Sequence, residues 1–533
     1  MNPVADHVAE RPRGTDSPDV GSNGMRIAAF DLGSNSFHLL VVDAHADGSF
    51  VPLVREKDML RLGDAVGREG RIPQALADRA VATVDRFRKV AVGAGSDEIH
   101  AYATSALREA ENGGEVVDRM AAEAGVKVRV INGHEEARLI FEAVRASVVI
   151  DPGPALCLDL GGGSLELMVG DRSRLRGLWS VPLGVARLTA ELVTGDPLTD
   201  DDVRRLEKRV TSTLAPLADQ IAGLHPAMTV GSSGTFLDLA SMVAARRTGS
   251  VPRSVNQFTF SRDELVPLHE ELLGMRAADR ARMPGLEAKR ADIIPAGTTL
   301  LLTAMELFGF DLMTVSEWAL REGIVLDAIP RHEASDWSGD PGAIRLSSVL
   351  HLARRCNWDE VHGRQTARLA LDLFDQTSTL HGLGPEDREL LEHASLLHDI
   401  GEHVSTESHH KHSAYLIENG RLRGFAPHEV DFTAALARAH RGGGPKPSHE
   451  PFASLDREAR ERVVRLAALL RVADGLDRGR VGAVGGIDVV LDGSRAQLLV
   501  KAGGDISIEL WGARRKRELF ERVFDRRLDV VPA

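Results

Sequence analysis

The chain of 533 residues has only two cysteines, Cys157 and Cys356, too few for a disulfide framework or a cysteine-rich metal site. It also has no apolar run of the ~18 residues needed to span a bilayer, and its polar N-terminus has no basic-then-apolar export signal. We therefore expect a cytoplasmic protein with no membrane partner. The net charge of −13 argues against nucleic-acid binding, although a locally basic site for an anionic substrate remains compatible with it.

Hydrophobic patterning divides the chain into a disordered arm, two α/β domains, a helical domain and a small β-plus-helix segment. In chain order these are residues 1–24, 25–140, 141–335, 340–480 and 481–533. In the last segment, alternating residues over 487–510 indicate strands, and an amphipathic pattern over 513–527 indicates one final helix. The expected fold class is therefore α/β plus all-α.

A short glycine turn between two strands occurs twice, as DLGSNS in residues 31–36 and as DLGGGS in residues 159–164. Four of the six positions are identical, which indicates two similar halves that face each other. Glycine lets a turn approach a ligand closely, and successive backbone N–H groups then bind an anion. GSSGT in residues 231–235 leads into a helix, whose N-terminus is a second kind of anion site. The predicted phosphate-binding residues are Asp31, Gly33, Ser34, Asn35, Ser36, Gly161, Gly162, Gly163, Ser164, Gly231, Ser232, Ser233, Gly234 and Thr235.

These three turns resemble the phosphate loops of the actin-like ATPase superfamily, which has a ribonuclease H-like fold. DLGSNSFHLLV, ATSALREA, GHEEARLI, DLGGGSLEL and GSSGT also stand in the order found in the Ppx/GppA family of exopolyphosphatases and pppGpp phosphohydrolases. The resemblance covers about Met25 to Arg480. It implies duplicated actin-like domains, a phosphoanhydride hydrolase that uses Mg²⁺, with a monovalent cation as an addition, and a homodimer.

The resemblance also assigns roles to individual side chains. The family's catalytic glutamate directly precedes the alanine of its GxEEA motif, which corresponds to Glu136 rather than Glu135. A carboxylate there would orient and deprotonate a water for in-line attack on a terminal phosphorus. Asp159 and Glu166 would bind Mg²⁺ or its waters, and the guanidinium of Arg108 would contact phosphate oxygens.

Each of these residues, taken alone, also has a purely structural explanation. Glu136 is a favourable charge at a helix N-terminus, and Arg108 has Glu109 and Glu111 as nearby surface partners. The ordered set of motifs favours the functional interpretation for all of them together.

Three basic residues, Arg55, Lys57 and Arg61, follow the first hairpin. They would extend an anion path for a long chain, or they would form a solvated charged strand. The second interpretation is slightly favoured, because charged strands are commonly solvated.

A second group of polar residues lies on helix faces that otherwise carry core leucines. A buried histidine or aspartate without a partner is costly, and a shared metal ion is one way to satisfy it. The order His, His-Asp, Asp resembles the HD metal-phosphohydrolase superfamily, which implies an HD-type domain with a second divalent metal. A hydrogen-bonded polar core without metal is the alternative, and hydrolysis at this site is left open. The residues are His362, His398, Asp399, His412, His440 and Asp474.

Release of terminal orthophosphate from inorganic polyphosphate is the function expected first. The nucleotide pppGpp is the alternative substrate, since both present a phosphoanhydride to the same turns. A kinase of the actin-like fold would use a similar cradle, but GHEEARLI belongs to the phosphatase branch. A non-catalytic polyphosphate or nucleotide sensor is disfavoured because Glu136, Asp159 and Glu166 are all present.

Overall fold

The computed structural model describes residues 25–45, 49–329, 341–442 and 444–533. The disordered arm predicted for residues 1–24 lies outside the described residues. Across the described ranges, every helix is either too short or too polar to cross a bilayer.

The first α/β domain is built around a twisted, mixed sheet. Its elements are β1 (Met25–Leu32), β2 (Ser36–Ala44), β3 (Phe50–Met59), α1 (Leu62–Glu69), α2 (Gln74–Gly93), β4 (Glu98–Ala103), α3 (Ser105–Glu109), α4 (Gly113–Ala124), β5 (Val128–Val130) and α5 (Gly133–Ser147). The strand order is β3-β2-β1-β4-β5. β1 pairs antiparallel with β2 and parallel with β4, so the first glycine turn joins the two central strands.

The second α/β domain repeats this plan. Its elements are β6 (Ala155–Leu160), β7 (Leu165–Gly170), β8 (Leu175–Val181), α6 (Val185–Leu192), α7 (Asp200–Leu214), α8 (Ala218–Ala222), β9 (Met228–Ser232), α9 (Ser233–Thr248), β10 (Thr259–Ser261), α10 (Arg262–Gly274), α11 (Ala277–Arg280), α12 (Ile294–Phe308), β11 (Leu312–Val315) and α13 (Leu320–Ala328). The strand order β10-β11-β9-β6-β7-β8 matches the first sheet, with β10 added at one edge. The repeated DLGxxS turn therefore has the same place in both sheets.

Two helices cross between the domains. α5 follows the first sheet but packs on β6, β7 and β8 of the second, whereas α13 follows the second sheet but packs on β1 and β2 of the first. The two helices also pack on each other, and their Phe141 and Ile324 share one buried core with Ile27 and Cys157. The sequence division at residues 140 and 141 therefore falls inside α5, and α13 lies on the first sheet although it belongs to the 141–335 segment.

The remaining described residues form a helical domain with a small mixed sheet. The elements are α14 (Pro341–Arg355), α15 (Glu360–Gln376), α16 (Ser378–His381), α17 (Pro385–Leu397), α18 (His409–Glu418), α19 (Pro427–Arg438), α20 (Arg457–Gly475), β12 (Val484–Asp492), β13 (Arg495–Ala502), α21 (Ser507–Lys516), α22 (Glu518–Phe524) and β14 (Arg527–Pro532). We call residues 484–532 the C-terminal module. Leu466 of the helices lies in one continuous core with Leu498 and Phe520 of the module.

Two predictions for this last segment are wrong in detail. Residues 507–510 begin helix α21 instead of continuing a strand, and the expected single final helix is divided into α21 and α22. The chain then ends in β14, which pairs parallel with β13. The alternation of ISIEL resembles a strand locally, but packing of α21 on α20 determines its conformation.

Candidate active site

The first glycine turn lies on the wall of a cavity of about 400 Å³ between the two α/β domains. The carbonyl groups of Ser34 and Asn35 accept hydrogen bonds from the N–H groups of Gly63 (2.8 Å) and Arg61 (2.9 Å), at the start of α1. In a trans peptide, the C=O of one residue and the N–H of the next point in opposite directions. The N–H groups of Asn35 and Ser36 therefore point away from α1, towards the cavity that these residues line.

The second glycine turn is held in the same way by α6. The N–H groups of Val185 and Ala186 donate to the carbonyl groups of Gly161 and Gly162, both at 3.0 Å. The peptide N–H groups of Gly162 and Gly163 are consequently directed towards the cavity. In each domain the third strand leads into the helix that fixes the turn, so duplication of the fold builds a pair of anion-binding turns.

The two turns touch each other across the cleft. A Cβ atom on Gly162 would lie 2.9 Å from Cβ of Asn35, and one on Gly163 would lie 2.4 Å from Oγ of Ser105 and 2.7 Å from Oγ of Ser34. Glycine is therefore required here by close approach. Of the predicted phosphate-binding residues, those that line the cavity are Asp31, Gly33, Ser34, Asn35, Ser36, Gly161, Gly162, Gly163, Ser164, Ser233 and Gly234.

Glu136 lies in the first turn of α5 and on the wall of the same cavity. The side chain of Asn132 caps this helix by accepting a hydrogen bond from the N–H of Glu135 at 2.9 Å. Glu136 is 7% exposed, whereas Glu135 pairs with Arg129 at 2.6 Å on the surface. The structure thus separates the two adjacent glutamates and directs only Glu136 to the cleft.

Asp159 and Glu166 face each other across the β6–β7 pair. Asp159 accepts a hydrogen bond from Oγ of Ser232 at 2.5 Å, and Glu166 accepts one from Oγ of Ser180 at 2.8 Å. Asp159 lines the cavity, whereas Glu166, opposite it on the neighbouring strand, is 1% exposed and is not a lining residue. Their side chains share one face of the sheet because opposite residues of an antiparallel pair point the same way.

Four carboxyl groups of this cleft, those of Asp31, Glu136, Asp159 and Glu166, have raised pKa values. Burial raises the pKa of Asp31 to about 7, of Asp159 to about 6 and of Glu166 to about 8, with Asp159 adding to the effect on Glu166. Burial also raises the pKa of Glu136 well above its usual value, and the charge of Glu166 adds to this. Several buried carboxylates in mutual repulsion are the oxygen donor set that suits a hard divalent cation.

Arg108 is placed differently from the predicted phosphate contact. Its Nη1 donates to the carbonyl of Ile131 at 2.7 Å and lies 3.4 Å from Oε2 of Glu136. Its predicted surface alternative, Glu109, instead accepts hydrogen bonds from Ser105 and Arg187. Arg108 therefore contacts the candidate base directly.

The GSSGT segment divides between the cavity and the core. Ser233 and Gly234 line the cavity, whereas Ser232 is buried and holds Asp159. Gly231 is packed so closely on an aromatic ring that a Cβ would lie 2.2 Å from it, and Thr235 accepts a hydrogen bond from Arg290 at 2.7 Å. Gly231, Ser232 and Thr235 thus make structural contacts, and phosphate binding by these three residues stays a prediction.

The three basic residues after the first hairpin also have distinct roles. Lys57 pairs with Glu287 at 2.5 Å and Arg61 pairs with Asp292 at 2.6 Å, so both tie the first domain to the second. The pairing of Arg61 differs from both alternatives, whereas Lys57 also lines the cavity, so the anion path stays a prediction for Lys57. Arg55 and Lys57 both line the cavity, whereas Arg61 does not, and burial lowers the pKa of the Arg55 guanidinium.

His38 is a cavity residue that sequence reasoning missed. It faces Asp31 across the β1–β2 pair, and Nη1 of Arg321 lies 3.2 Å from its Nδ1. Because an arginine can only donate, Nδ1 accepts and the proton is on Nε2, which donates to Oγ of Ser36 at 2.7 Å. Burial and the charge of Arg321 lower the pKa of His38, so the ring is neutral. The hydroxyl proton of Ser36 is thereby left free to donate into the cavity.

Replacement of His38 with phenylalanine is expected to lower kcat/KM for a phosphorylated substrate about tenfold, since Ser36 loses the donor that orients its hydroxyl. His38→Gln keeps an amide N–H and should restore most of the loss. Steady-state kinetics over a pH series checks this, because a neutral positioning ring leaves the pH profile unchanged. A shifted acid limb in His38→Phe would instead make His38 a titrating catalytic group.

A second cluster lies in the helical domain, where four imidazole rings have Nδ1 beside an acceptor. Nδ1 of His362 lies 2.8 Å from Asp477, and those of His398 and His440 lie 2.6 and 2.7 Å from backbone carbonyl oxygens. Nδ1 of His409 lies 3.1 Å from the carbonyl of Thr406. For His362, His398 and His440 such acceptors place the proton on Nδ1 and leave the Nε2 lone pair free to bind a metal. Nδ1 of His409 also lies 3.1 Å from Nη1 of Arg441, which can only donate.

The Nε2 atoms of these rings converge in two groups. One group is His362, His398 and Asp474, and the other is Asp399, His409 and His440; within each, the ligand atoms lie within 4.8 Å of one another. Nε2 atoms lie 3.2 Å apart in the pair His362–His398 and 3.1 Å apart in the pair His409–His440. The pKa of His440 is lowered to about 3 by burial, so the ring is a neutral ligand. Each group is a donor set of the kind that binds a divalent cation, and the hydrogen-bonded polar core stays the alternative.

The structure groups one histidine differently from the prediction, and metal binding by His412 stays a prediction. His412 belongs to neither group among the described residues, and His409, one helical turn earlier on α18, takes that place. Asp477 was also missed; it is fully buried and orients His362. Asp477 lies in the turn that follows α20, three residues after Asp474.

Comparison with known proteins gives the family. Residues 41–332 match the Ppx/GppA phosphatase family and residues 344–497 match its domain III. The chain belongs to the Ppx/GppA phosphatase family. It is 36% identical over 332 residues to exopolyphosphatase 1 of Mycobacterium tuberculosis, covering 62% of this chain and 94% of that protein. It is 37% identical over 304 residues to exopolyphosphatase 1 of Mycobacterium leprae, covering 57% and 89%.

Solved structures of related proteins support the same family assignment. A Cytophaga hutchinsonii exopolyphosphatase superposes with a TM-score of 0.55 at 28% identity, over 58% of this chain and 100% of that one. The Aquifex aeolicus Ppx/GppA family member gives 0.50 at 26% identity, again over 58% and 100%. The duplicated actin-like fold expected from the sequence is therefore confirmed, and the chain is a phosphoanhydride hydrolase.

Proposed function

We propose that this chain is an exopolyphosphatase that releases orthophosphate from the end of inorganic polyphosphate. The main support is that the buried carboxylate of Glu136 lies on the wall of the cavity that both glycine turns line. The terminal phosphate would accept hydrogen bonds from the turns. Glu136 would orient a water and take its proton while the water oxygen attacks the terminal phosphorus and the bond to the rest of the chain breaks. The products are orthophosphate and a chain one phosphate shorter.

Divalent metal belongs to the same proposal. Asp159 and Glu166 would hold Mg²⁺ or its waters, and the bound ion would screen the negative charge of the phosphate oxygens. A monovalent cation at the turns would add to this screening. Arg108, 3.4 Å from Glu136, would keep that carboxylate ionised and oriented.

Stabilisation by Mg²⁺ is expected to grow with pH. The raised pKa values, about 7 for Asp31, 6 for Asp159 and 8 for Glu166, mean that the metal-free folded state binds more protons than the unfolded chain. Metal-free stability therefore falls as pH rises through these values, and Mg²⁺ competes better as the protons leave. The Mg²⁺-induced rise in Tm should be about twice as large near pH 8 as near pH 6. A rise independent of pH, or one unchanged in an Asp159→Asn/Glu166→Gln double variant, would contradict this site.

Substrate choice is tested by one set of assays on the whole chain. Orthophosphate release from long polyphosphate, tripolyphosphate and pppGpp is measured at matched concentrations of terminal phosphate, with ATP plus sugars as a kinase assay. We expect kcat/KM to be highest for polyphosphate. A higher value for pppGpp would support the alternative substrate, phosphosugar formation would support a kinase, and binding without turnover would support a sensor.

The proposal extends to the rest of the molecule. The helical domain, about residues 340–480, would be of HD type, and its two histidine–aspartate groups would each hold a divalent cation. The chain would act as a homodimer in the cytoplasm. Metal content of the purified chain, compared between wild type and His398→Ala, tests the metal centre without depending on any activity.

A further inference from the structure

A cavity of about 900 Å³ lies where the helical domain meets the C-terminal module. Both histidine–aspartate groups contribute to its wall, and none of its lining residues lines the phosphate cleft. Pockets of this size accommodate ligands as large as a nucleotide. The charged lining residues are the cationic Arg441, Arg478, Arg480, Arg515 and Lys516 and the acidic Asp399, Glu402, Asp474 and Asp477.

The cations of this wall fall into two classes. Arg480 pairs with Asp399 at 2.6 Å, and Lys516 pairs with Asp474, so both compensate carboxylates of the metal groups. Arg441, Arg478 and Arg515 have no carboxylate within ion-pair distance anywhere in the described ranges. Cations in a cavity wall without acidic partners favour an anionic ligand. The local positive charge contrasts with the net charge of −13 of the whole chain.

The C-terminal module is docked so that its side chains face the metal groups. A Cβ on Gly512 of α21 would lie 2.3 Å from the carbonyl oxygen of Gly475, the last residue of α20, so the two helices are in backbone contact. The contact point, Gly475, directly follows Asp474 in the chain, so α21 packs beside that metal group. Trp511, Arg515 and Lys516 of α21 therefore lie in the cavity wall. Trp511 is half exposed, with the guanidinium of Arg515 4.8 Å from its ring centre. An exposed indole beside arginines suits a planar ring that carries phosphate.

We propose that this cavity is a second ligand site, separate from the polyphosphate cleft, that binds a phosphate-bearing small molecule of nucleotide size. The phosphate would lie between the two histidine–aspartate groups and the guanidinium groups of Arg478 and Arg515, with Trp511 against the organic part. The inference rests on the proposed metal centre, because divalent cations there would supply the opposite charge on the inner side of the phosphate. The C-terminal module therefore determines what this site binds.

Calorimetry of the full chain tests the proposal with ADP and pyrophosphate as probes, in the presence of Mn²⁺. Arg478→Gln/Arg515→Gln is the test variant, since both side chains are exposed and their loss leaves the metal groups intact. Lys501→Gln is the matched control on the same module, because Lys501 pairs with Asp488 away from the cavity. We expect wild type and Lys501→Gln to bind ADP with the same affinity. In the double variant ADP affinity should fall at least about tenfold, with polyphosphate kcat/KM unchanged within about twofold.

The variant Trp511→Ala, titrated with ADP and with pyrophosphate, distinguishes a nucleotide-like ligand from one recognised by its phosphate alone. Weakening of ADP alone would assign a nucleotide-like ligand, and equal affinities for ADP and pyrophosphate throughout would assign recognition of phosphate only. Identical ADP titrations for the double variant and wild type, while Mn²⁺ still binds, would overturn the inference. An equal loss of polyphosphate turnover would also overturn it, because the cavity would then be part of the polyphosphate path. Absence of Mn²⁺ at these histidines would refute the metal centre and with it this inference. The function of the phosphate cleft would be unaffected, because the polyphosphate assays test it separately.

Discussion

Replacement of Glu136 with glutamine is expected to lower kcat for orthophosphate release about 10³-fold, with little change in KM. The amide keeps the size and hydrogen-bonding geometry of the side chain but cannot accept the proton of the attacking water. Tm should hardly change, because burial already raises the pKa of Glu136 and a neutral side chain is tolerated there. Single-turnover phosphate release and a thermal melt measure the two effects.

The chain supplies a matched control at the preceding position. Glu135→Gln removes only a surface ion pair with Arg129, which contributes about 0–1 kcal/mol, and should leave kcat within about twofold of wild type. Equal losses in the two variants would point to disturbance of the α5 N-terminus. Full turnover in Glu136→Gln would remove the assigned base.

Gly163→Ala is expected to lower kcat/KM at least about 10²-fold. The added methyl group would lie 2.4 Å from Oγ of Ser105 and 2.7 Å from Oγ of Ser34, so it must separate the two turns. A displacement near 1 Å of groups that position a substrate costs about 10²-fold in rate. The free energy of unfolding should fall by only ~1–3 kcal/mol, the usual effect of overpacking.

Gly67→Ala is the control for this substitution. Gly67 lies on α1 with nothing within 4 Å of an added Cβ, and alanine favours a helix. Wild-type kcat/KM is expected, with equal or higher Tm. If Gly163→Ala also retained wild-type kcat/KM, then contact between the turns would not matter for the reaction.

Much of the fold could be predicted because duplication leaves a trace in the sequence. Asp31 and Asp159 begin turns with the same pattern, and both turns join central strands of matching sheets. The crossing of α5 and α13 could not be predicted, since a helix pattern shows which face is apolar but not which sheet covers it. β14 was not predicted for a similar reason, since its six residues form a strand only because β13 lies beside them.

The candidate site was predictable at the level of motifs but not of individual contacts. Glu136 follows from its motif, whereas the bonds from α1 and α6 that orient the turns involve backbone atoms and have no side-chain signature. His409 and His412 are three residues apart on one helix, and the preceding irregular segment decides which of them meets His440. The half-buried His38 lies opposite Asp31 in a strand of mostly apolar residues, and this relation can be recognised only when the strand pairing is known.

The most direct test of the central claim is the ³¹P spectrum of orthophosphate formed from long polyphosphate in ¹⁸O-enriched water. Attack by a Glu136-oriented water on the terminal phosphorus predicts that orthophosphate is the only small product from the first turnover. Each released molecule should carry one solvent oxygen atom, and Glu136→Gln should abolish the signal. Internal fragments, pyrophosphate, or orthophosphate without the solvent label would contradict terminal hydrolysis in this cleft.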